Sequence, residues 1–260
     1  MPKFTAVDRD AYATKVWRRP TDFRFVSHDT VAPVVLAEAA VAAQSMPLAF
    51  LEQSGQYFLV AVLSFAPNTN LFVTPSGKWL GRYVPACYRF APFRLMQIEA
   101  STDAVLCIDE ESGLLANQGE IGEPFFDPSG ELSQPLKEVV DFLQQLNASQ
   151  QATARAIDAL ARAEVIKEWP LSVATQQGPK RLSGLYGVDE KAFNDLTDEQ
   201  FLDLRKTGAL VLAYVQMFST GQTWVLGELA RLQAAAQDTQ SKATSPQMGF
   251  QLSDDTIRFE

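Results

Sequence analysis

The chain has 260 residues, of which 47% are hydrophobic, and a formal net charge of −9 at pH 7. This length and apolar content allow a substantial core without a metal or disulfide staple. The negative charge argues against a nucleic-acid partner, because proteins that bind nucleic acid usually carry a basic surface. The N-terminus contains no apolar run of signal-peptide length, and the longest apolar run, at 58–66, is too short to span a membrane. We therefore expect a soluble, cytoplasmic protein with no membrane span.

The first half of the chain is predicted to form a short helix and then a sheet. The alanine-rich segment 31–45 predicts a helix that is buried on most sides. Beyond it, the apolar residues change to the pattern of β-strands bounded by turn residues. The predicted strands lie at 48–52, 57–65, 93–99 and 104–109, with a further hairpin around Ser76 and Gly77. The short connections favour a mainly antiparallel sheet over residues 48–109.

The second half is predicted to be mainly helical after a long glycine-rich loop at 110–133. Within that loop, the run FDPSGE at 126–131 has the residues of a tight turn and lacks the alternating ligands of a calcium loop. Thr197 and Gln200 have the spacing of a capping box, which predicts the start of a helix. The other predicted elements are long helices at 134–165 and 209–235 and a second hairpin at 170–189 around 177–180.

These elements predict an α+β fold, in which a mainly antiparallel sheet and the second hairpin pack against long helices. We expect a single domain over residues 1–236. Residues 237–260 have isolated hydrophobic residues without a clear period, which favours a C-terminal tail that is flexible or docks as an extended arm.

Few residues in the chain have the pattern of a reactive or metal-binding site. His28 is the only histidine, so neither a two-histidine iron site nor a histidine-rich zinc site can form within one chain. Cys87 and Cys107 have no metal-ligand spacing, although Arg82 and Arg89 could lower the pKa of the Cys87 thiol. No phosphate-binding loop or nucleophile motif occurs. We predict no catalytic residue, no metal site and no cofactor, and an enzymatic role is disfavoured.

Residues 77–95, GKWLGRYVPACYRFAPFRL, combine aromatic and basic residues more densely than the rest of the chain. Together with "NLFVTPSGKWLGRYVPACYRFAPF", "LCIDEES", "GEPFFDPSGELS" and "GLYGVDEKAFNDLTDEQFLDLRKTGALVLAYVQMFS", this stretch resembles the SapC family of bacterial proteins. The resemblance covers roughly residues 15–225. It differs from the peptide permease of the same name, because this chain lacks membrane spans. The family pattern is carried by Gly81, Arg82, Tyr83, Pro85, Arg89, Pro92 and Phe93.

Two interpretations of this stretch remain open. In the structural one, Trp79, Tyr83 and Phe93 are buried against the sheet and the arginines stack on rings or pair with carboxylates. In the functional one, Arg82 and Arg89 project beside aromatic walls and bind a carboxylate, a phosphate or a peptide chain. Tyr186 and Asp189 are candidates for a facing wall. The predicted binding residues are Trp79, Arg82, Tyr83, Arg89, Phe93, Tyr186 and Asp189.

The resemblance implies a family named after a protein linked to a bacterial surface layer, and it implies no defined reaction. We expect a non-enzymatic binding or assembly protein that recognises a peptide or protein partner. The alternative is an accessory or catalytic subunit of a modifying system that acts with a redox partner of the flavin halogenase type, as the gene neighbours of the family suggest. Whether the chain forms a homo-oligomer is left open.

Overall fold

The computed structural model describes residues 3–97, 104–175, 178–181 and 183–244. The helices in these ranges are α1 (Arg9–Tyr12), α2 (Leu36–Ala42), α3 (Ala86–Arg89), α4 (Gln134–Arg162), α5 (Glu190–Asn194), α6 (Asp198–Thr207), α7 (Ala209–Ser219) and α8 (Thr223–Thr244). The strands are β1 (Phe4–Ala6), β2 (Lys15–Trp17), β3 (Val31–Pro33), β4 (Leu48–Gln53), β5 (Gln56–Val62), β6 (Phe93–Gln97), β7 (Ala104–Asp109), β8 (Leu115–Asn117), β9 (Glu123–Pro124), β10 (Ile166–Glu168), β11 (Ser172–Thr175), β12 (Gly178–Arg181) and β13 (Leu185–Val188). Antiparallel sheets with several helices confirm the predicted α+β class.

The largest sheet has five strands in the order β10-β13-β4-β5-β3, and every pairing is antiparallel. Its central hairpin, β4–β5, was predicted from the sequence. The two residues at the tip, Ser54 and Gly55, both have positive φ, as the tightest hairpin turns require. Helices α4 and α7 pack against strands of this sheet.

The predicted helix at 31–45 is shorter than expected. Residues 31–33 form β3, which pairs with β5, and helix α2 begins only at Leu36. Pro33 fits this arrangement, because β3 lies at the edge of the sheet, where a missing N–H costs no ladder hydrogen bond. Pairing with β5 therefore makes residues 31–33 a strand, although their apolar sequence had predicted a helix.

The expected single sheet over 48–109 is instead two sheets. Strands β6 and β7 pair with each other, and β1 from the N-terminus completes a separate three-stranded sheet in the order β1-β7-β6. The hairpin predicted around Ser76 and Gly77 is a turn closed by one isolated bridge between Val73 and Trp79.

The second hairpin also differs from its prediction. Strand β11 pairs with β12, whereas β13, which was expected to be its partner, joins the five-stranded sheet between β10 and β4. Residues 110–133, expected to be a loop, contain β8 and β9, and both pair with β2.

Predictions that rest on residues close together in the sequence were more accurate than those of strand pairing. The FDPSGE turn is present, because the Asp127 carboxylate accepts hydrogen bonds from Ser129 N and Glu131 N. The capping box of α6 is also formed, with Thr197 and Gln200 in reciprocal hydrogen bonds. The predicted helix at 209–235 is divided into α7 and α8 by a 3₁₀ turn at Thr220–Gln222, and α8 continues to Thr244. Residues 245–260 of the expected tail lie outside the described residues.

The buried side chains form two hydrophobic clusters. The larger cluster joins the five-stranded sheet to α2, α7 and the C-terminal half of α4. The smaller cluster lies between β2, β6, β7 and the N-terminal half of α4, around Trp17, Phe93 and Phe125. Residues 77–95 run from the larger cluster to the smaller one.

Candidate functional site

Trp79 and Phe93, two of the predicted binding residues, are core residues. Trp79 is 9% exposed, stacks on Phe72 with ring centroids 5.3 Å apart and donates its indole N–H to the carbonyl of Tyr83 at 2.8 Å. Phe93 is 3% exposed and meets Trp17 edge-on at 4.8 Å. Both rings stabilise the packing around the stretch, and Phe93 also lines the cleft described below, whereas Trp79 does not.

The loop between these rings is anchored by a buried carboxylate. Glu38 of α2 is 7% exposed. Its Oε2 accepts from the Tyr83 hydroxyl at 2.7 Å and from Ala86 N at 2.8 Å, while its Oε1 accepts from Val35 N at 3.2 Å. Burial and the bond to Glu38 raise the pKa of Tyr83, so the phenol stays protonated as a donor. Glu38 therefore fixes the position of residues 83–86.

Arg82 and Arg89 lie on the surface beside this anchor. Both side chains are exposed. The guanidinium of Arg89 lies 4.6 Å from the centre of the Tyr83 ring, and its Nε donates to the carbonyl of Val84 at 3.0 Å. The stacking of Arg89 on Tyr83 is the contact that the structural interpretation described. Both arginines are nevertheless exposed, as the functional interpretation requires.

A concave feature of this region is a cleft of about 710 Å³ at the junction of the two clusters. A smaller recess of about 250 Å³ adjoins it and shares Cys87, Tyr88, Phe93, Arg94 and Asp29. We call these two spaces together the junction cleft. Short helix α3 and the start of β6 supply the shared wall, so the stretch singled out in the sequence does border a cavity.

The apolar part of the junction cleft is largely aromatic. Phe25 is 50% exposed and meets the Tyr88 ring edge-on, with centroids 6.4 Å apart. Phe4 lies under the guanidinium of Arg94, which is 4.9 Å from the ring centre. Phe93 contributes from the smaller cluster.

The charged part of the cleft has more carboxylates than cations among its described lining residues. Arg24 pairs with Asp22 at 2.6 Å. Asp29 accepts from the Tyr88 hydroxyl at 2.7 Å, and Asp109 accepts from the backbone N–H of Lys3 and of Glu111. These hydrogen bonds come from uncharged donors, so they orient the two aspartates without neutralising them. The described lining residues that carry charge are Asp22, Asp29, Asp109, Glu111, Arg24 and Arg94.

Cys87 borders the cleft but is a poor nucleophile. Burial, followed by the nearby charge of Glu38, raises the pKa of its thiol to about 12, against a smaller opposing effect of Arg94. The thiolate that Arg82 and Arg89 were expected to favour is therefore not formed near neutral pH. Both cysteines are free thiols.

Tyr186 and Asp189 are not brought to this cleft. Tyr186 lies on β13 and meets Tyr57 edge-on at 5.2 Å, on the five-stranded sheet. Asp189 caps the N-terminus of α5 and pairs with Lys167 at 2.8 Å. Their proposed role as a facing wall for residues 77–95 stays a prediction.

The cleft is also lined by two residues that the sequence analysis did not select, the half-exposed Phe25 and the carboxylate Asp29. Their signal in the sequence was only the run RFVSHD at 24–29, which has the composition of an ordinary turn. His28 of this run is exposed, with Nδ1 3.2 Å from the carbonyl of Asn68.

Within the described part of the chain, no group of three or more histidine, cysteine, aspartate or glutamate residues is placed to hold a metal ion. The helices of the same ranges include none with the length and apolar composition needed to cross a bilayer.

Fold and site together define an α+β protein with a ligand-sized, aromatic and charged cleft between two cores. The chain belongs to the SapC family, whose model matches residues 7–226, and this confirms the resemblance seen in the sequence. Searches among curated proteins and among solved structures found no match.

Proposed function

We propose that this protein is a binding protein whose junction cleft recognises an extended segment of a partner protein. The segment carries at least one basic side chain. The cleft is the observation that carries the proposal, because its volume of about 710 Å³ lies within the usual range of ligand sites. A cavity of this size takes a few side chains of a peptide.

The lining favours a cation with an apolar stem. Lysine and arginine place aliphatic carbons against apolar surface while their charged heads reach polar groups. The exposed ring of Phe25 offers a face for such a side chain, and Asp29 and Asp109 carry negative charge at the same cleft. A cation is attracted to an aromatic face by the ring quadrupole and to a carboxylate by the opposite charge. Arg94 carries a positive charge in the same cleft and can bind a backbone carbonyl or an acidic side chain of the segment.

A binding role fits the chemistry of the cleft better than catalysis. The Cys87 thiol has its pKa raised to about 12 by burial, and Tyr88 has its pKa raised by burial and by its bond to Asp29. Groups that stay protonated at neutral pH donate hydrogen bonds but do not act as nucleophiles or bases.

The test uses two fluorescein-labelled decapeptides, one alternating leucine with lysine and the other alternating leucine with glutamate. We expect the basic peptide to bind the full chain at least tenfold more tightly, measured by fluorescence anisotropy. Asp29→Asn and Phe25→Ala should each weaken this binding about three- to tenfold, as loss of one charge or ring contact predicts. Asp29→Asn keeps an oxygen that can accept from Tyr88.

The matched control is Asp158→Asn, which removes one exposed carboxylate from α4, outside the cleft lining. It separates specific binding from general attraction of a basic peptide to a chain of charge −9. Equal losses in the control and in Asp29→Asn would refute the cleft as the site. Tighter binding of the acidic peptide, abolished by Arg82→Ala with Arg89→Ala, would place recognition at the exposed arginines instead.

A further inference from the structure

Helix α7 is mostly apolar, with Gln216 hydrogen-bonded to β13 and β4 on its buried side, yet one of its faces is not covered by the described residues. Its eleven residues, ALVLAYVQMFS, include no charged side chain. One face packs against β4, β13, α4 and α6. On the opposite face, Val211 is 58%, Tyr214 41% and Phe218 77% exposed. These positions are three and four residues apart, so they lie in one row along the helix. A helix that is hydrophobic all round is normally buried all round.

The exposed side chains form one continuous surface. The rings of Tyr214 and Phe218 are stacked, with centroids 6.2 Å apart and planes at 22°. The buried ring of Phe193 meets Tyr214 at 5.4 Å and Phe201 of α6 at 6.0 Å, which connects the two helices. We call Phe201, Val211, Tyr214 and Phe218 the α7 face.

We propose that the α7 face is covered by the α7 face of a second copy of this chain, in a homodimer with two-fold symmetry. When the two-fold axis is perpendicular to α7, the helix lies antiparallel to its own copy, and the symmetry requires only that the surface be complementary to itself. The α7 face meets this requirement, because its four side chains are uncharged and no like charges face each other across the axis.

The charges at the border of the face are arranged in the same self-complementary way. Helix α6 carries Asp198 and Glu199 in its first turn and Arg205 and Lys206 in its last turn, where Lys206 is also paired with Asp203 at 2.7 Å. When two copies of α6 lie antiparallel, the acidic end of one is brought towards the basic end of the other. Charge complementarity at the rim sets register and orientation.

The apolar area fits the core of a dimer interface, about half of its whole. The exposed parts of the three rings and of Val211 amount to roughly 400 Å² per copy, if each aromatic side chain offers about 200 Å². A standard interface buries about 800 Å² per partner, with an apolar core and a polar rim. The α7 face supplies the core. The neighbouring exposed Leu202 and the charged ends of α6 supply the rim.

The test is sedimentation equilibrium of the full chain at several concentrations. We expect a dimer with a Kd below about 10 μM. Phe218→Glu should raise that Kd at least a hundredfold, because each copy would then place an unpaired carboxylate in the interface. The matched control, Gln151→Glu, adds the same charge at an exposed position of α4 and should leave the dimer intact.

A charge reversal tests the antiparallel register. Glu199→Lys should weaken the dimer, and adding Arg205→Glu to it should restore much of the loss. A chain that stays monomeric at every concentration would overturn the proposal, as would a dimer that Phe218→Glu does not weaken. Phe250 and Phe259 belong to the C-terminal segment that lies outside the described residues. If the unmodified chain is monomeric and the double variant Phe250→Ser with Phe259→Ser dimerises, this segment covers the face in the unmodified chain, and the proposal is again overturned. None of these results depends on whether the junction cleft binds a peptide.

Discussion

Replacing Glu38 by alanine should destabilise the protein more than its position in a short alanine-rich helix suggests. The substitution removes the acceptor for three donors, which are Tyr83 Oη at 2.7 Å, Ala86 N at 2.8 Å and Val35 N at 3.2 Å. Ala86 is 6% exposed, so water replaces the lost acceptor poorly there. A buried donor left without a partner costs about 1–3 kcal/mol, and Tyr83, which is only partly buried, can still reach solvent.

We therefore expect Glu38→Ala to lower the free energy of unfolding by about 3–5 kcal/mol and Tyr83→Phe to lower it by about 1–2 kcal/mol. In a chain of this size, the larger loss lowers Tm by roughly 10 °C. Glu38→Gln should be intermediate, because its amide oxygen can accept from Tyr83 and Ala86 while its NH₂ group then faces the N–H of Val35. Urea unfolding followed by circular dichroism measures all three variants.

The double variant Glu38→Ala with Tyr83→Phe provides the control. If the two groups interact as the distance of 2.7 Å indicates, its loss should be smaller than the sum of the single losses by about 1–2 kcal/mol. A Glu38→Ala variant within 1 kcal/mol of the unmodified chain would refute the assignment of Glu38 as the anchor of residues 83–86.

Trp79→Ala should cost about 3–5 kcal/mol of stability, measured by urea unfolding, because a large buried ring is lost. Arg89→Ala should cost about 0.5–1 kcal/mol through its contact with Tyr83, and the exposed Arg82→Ala less than that, in the same assay. Because burial raises the pKa of Cys87 to about 12, its contribution to stability is complete below about pH 8.5 and is lost as pH rises towards 12. Cys87→Ala should therefore show a smaller decline in unfolding midpoint between pH 8 and 10 than the unmodified chain; equal declines would contradict this.

The features predicted well from the sequence are those that depend on near neighbours in the chain. The turn at 126–131, the capping box at Thr197 and the β4–β5 hairpin each follow from residues within a few positions of one another. Each depends on hydrogen bonds that close over short loops, and their residue preferences are strong.

The partition of the strands could not be predicted, because it depends on partners distant in sequence. Strand β1 pairs with β7 about a hundred residues away, and this draws β6 and β7 into a sheet of their own. The three residues of β1 are too few to show a period. The sequence likewise gives no sign that β13 inserts between β10 and β4.

Only one wall of the junction cleft could be predicted, because the other wall comes from residues distant in sequence. Residues 77–95 do border the junction cleft. Phe93 of the predicted residues lines it, together with Cys87, Tyr88 and Arg94, whereas Arg82 and Arg89 are not among its described lining residues. The opposite wall comes from the N-terminal segment and from the end of β7. One informative signal was present, since Glu38 is the only charged residue in an apolar helix, and such a charge when buried requires partners from elsewhere.

Helix α4 is shared by both hydrophobic clusters. Its 29 residues extend roughly 43 Å, with Leu136, Val139 and Leu143 buried in the smaller cluster and Ile157 and Leu160 in the larger one. Neither cluster can lose its packing without exposing half of the same helix. Apart from those in its first and last turns, the amides of α4 should therefore exchange with deuterium only through global unfolding, and thermal unfolding should occur as a single transition despite the two cores. The same helix supplies Leu143 and Leu146 to the smaller recess of the junction cleft, so this wall of the recess should persist until the whole chain unfolds.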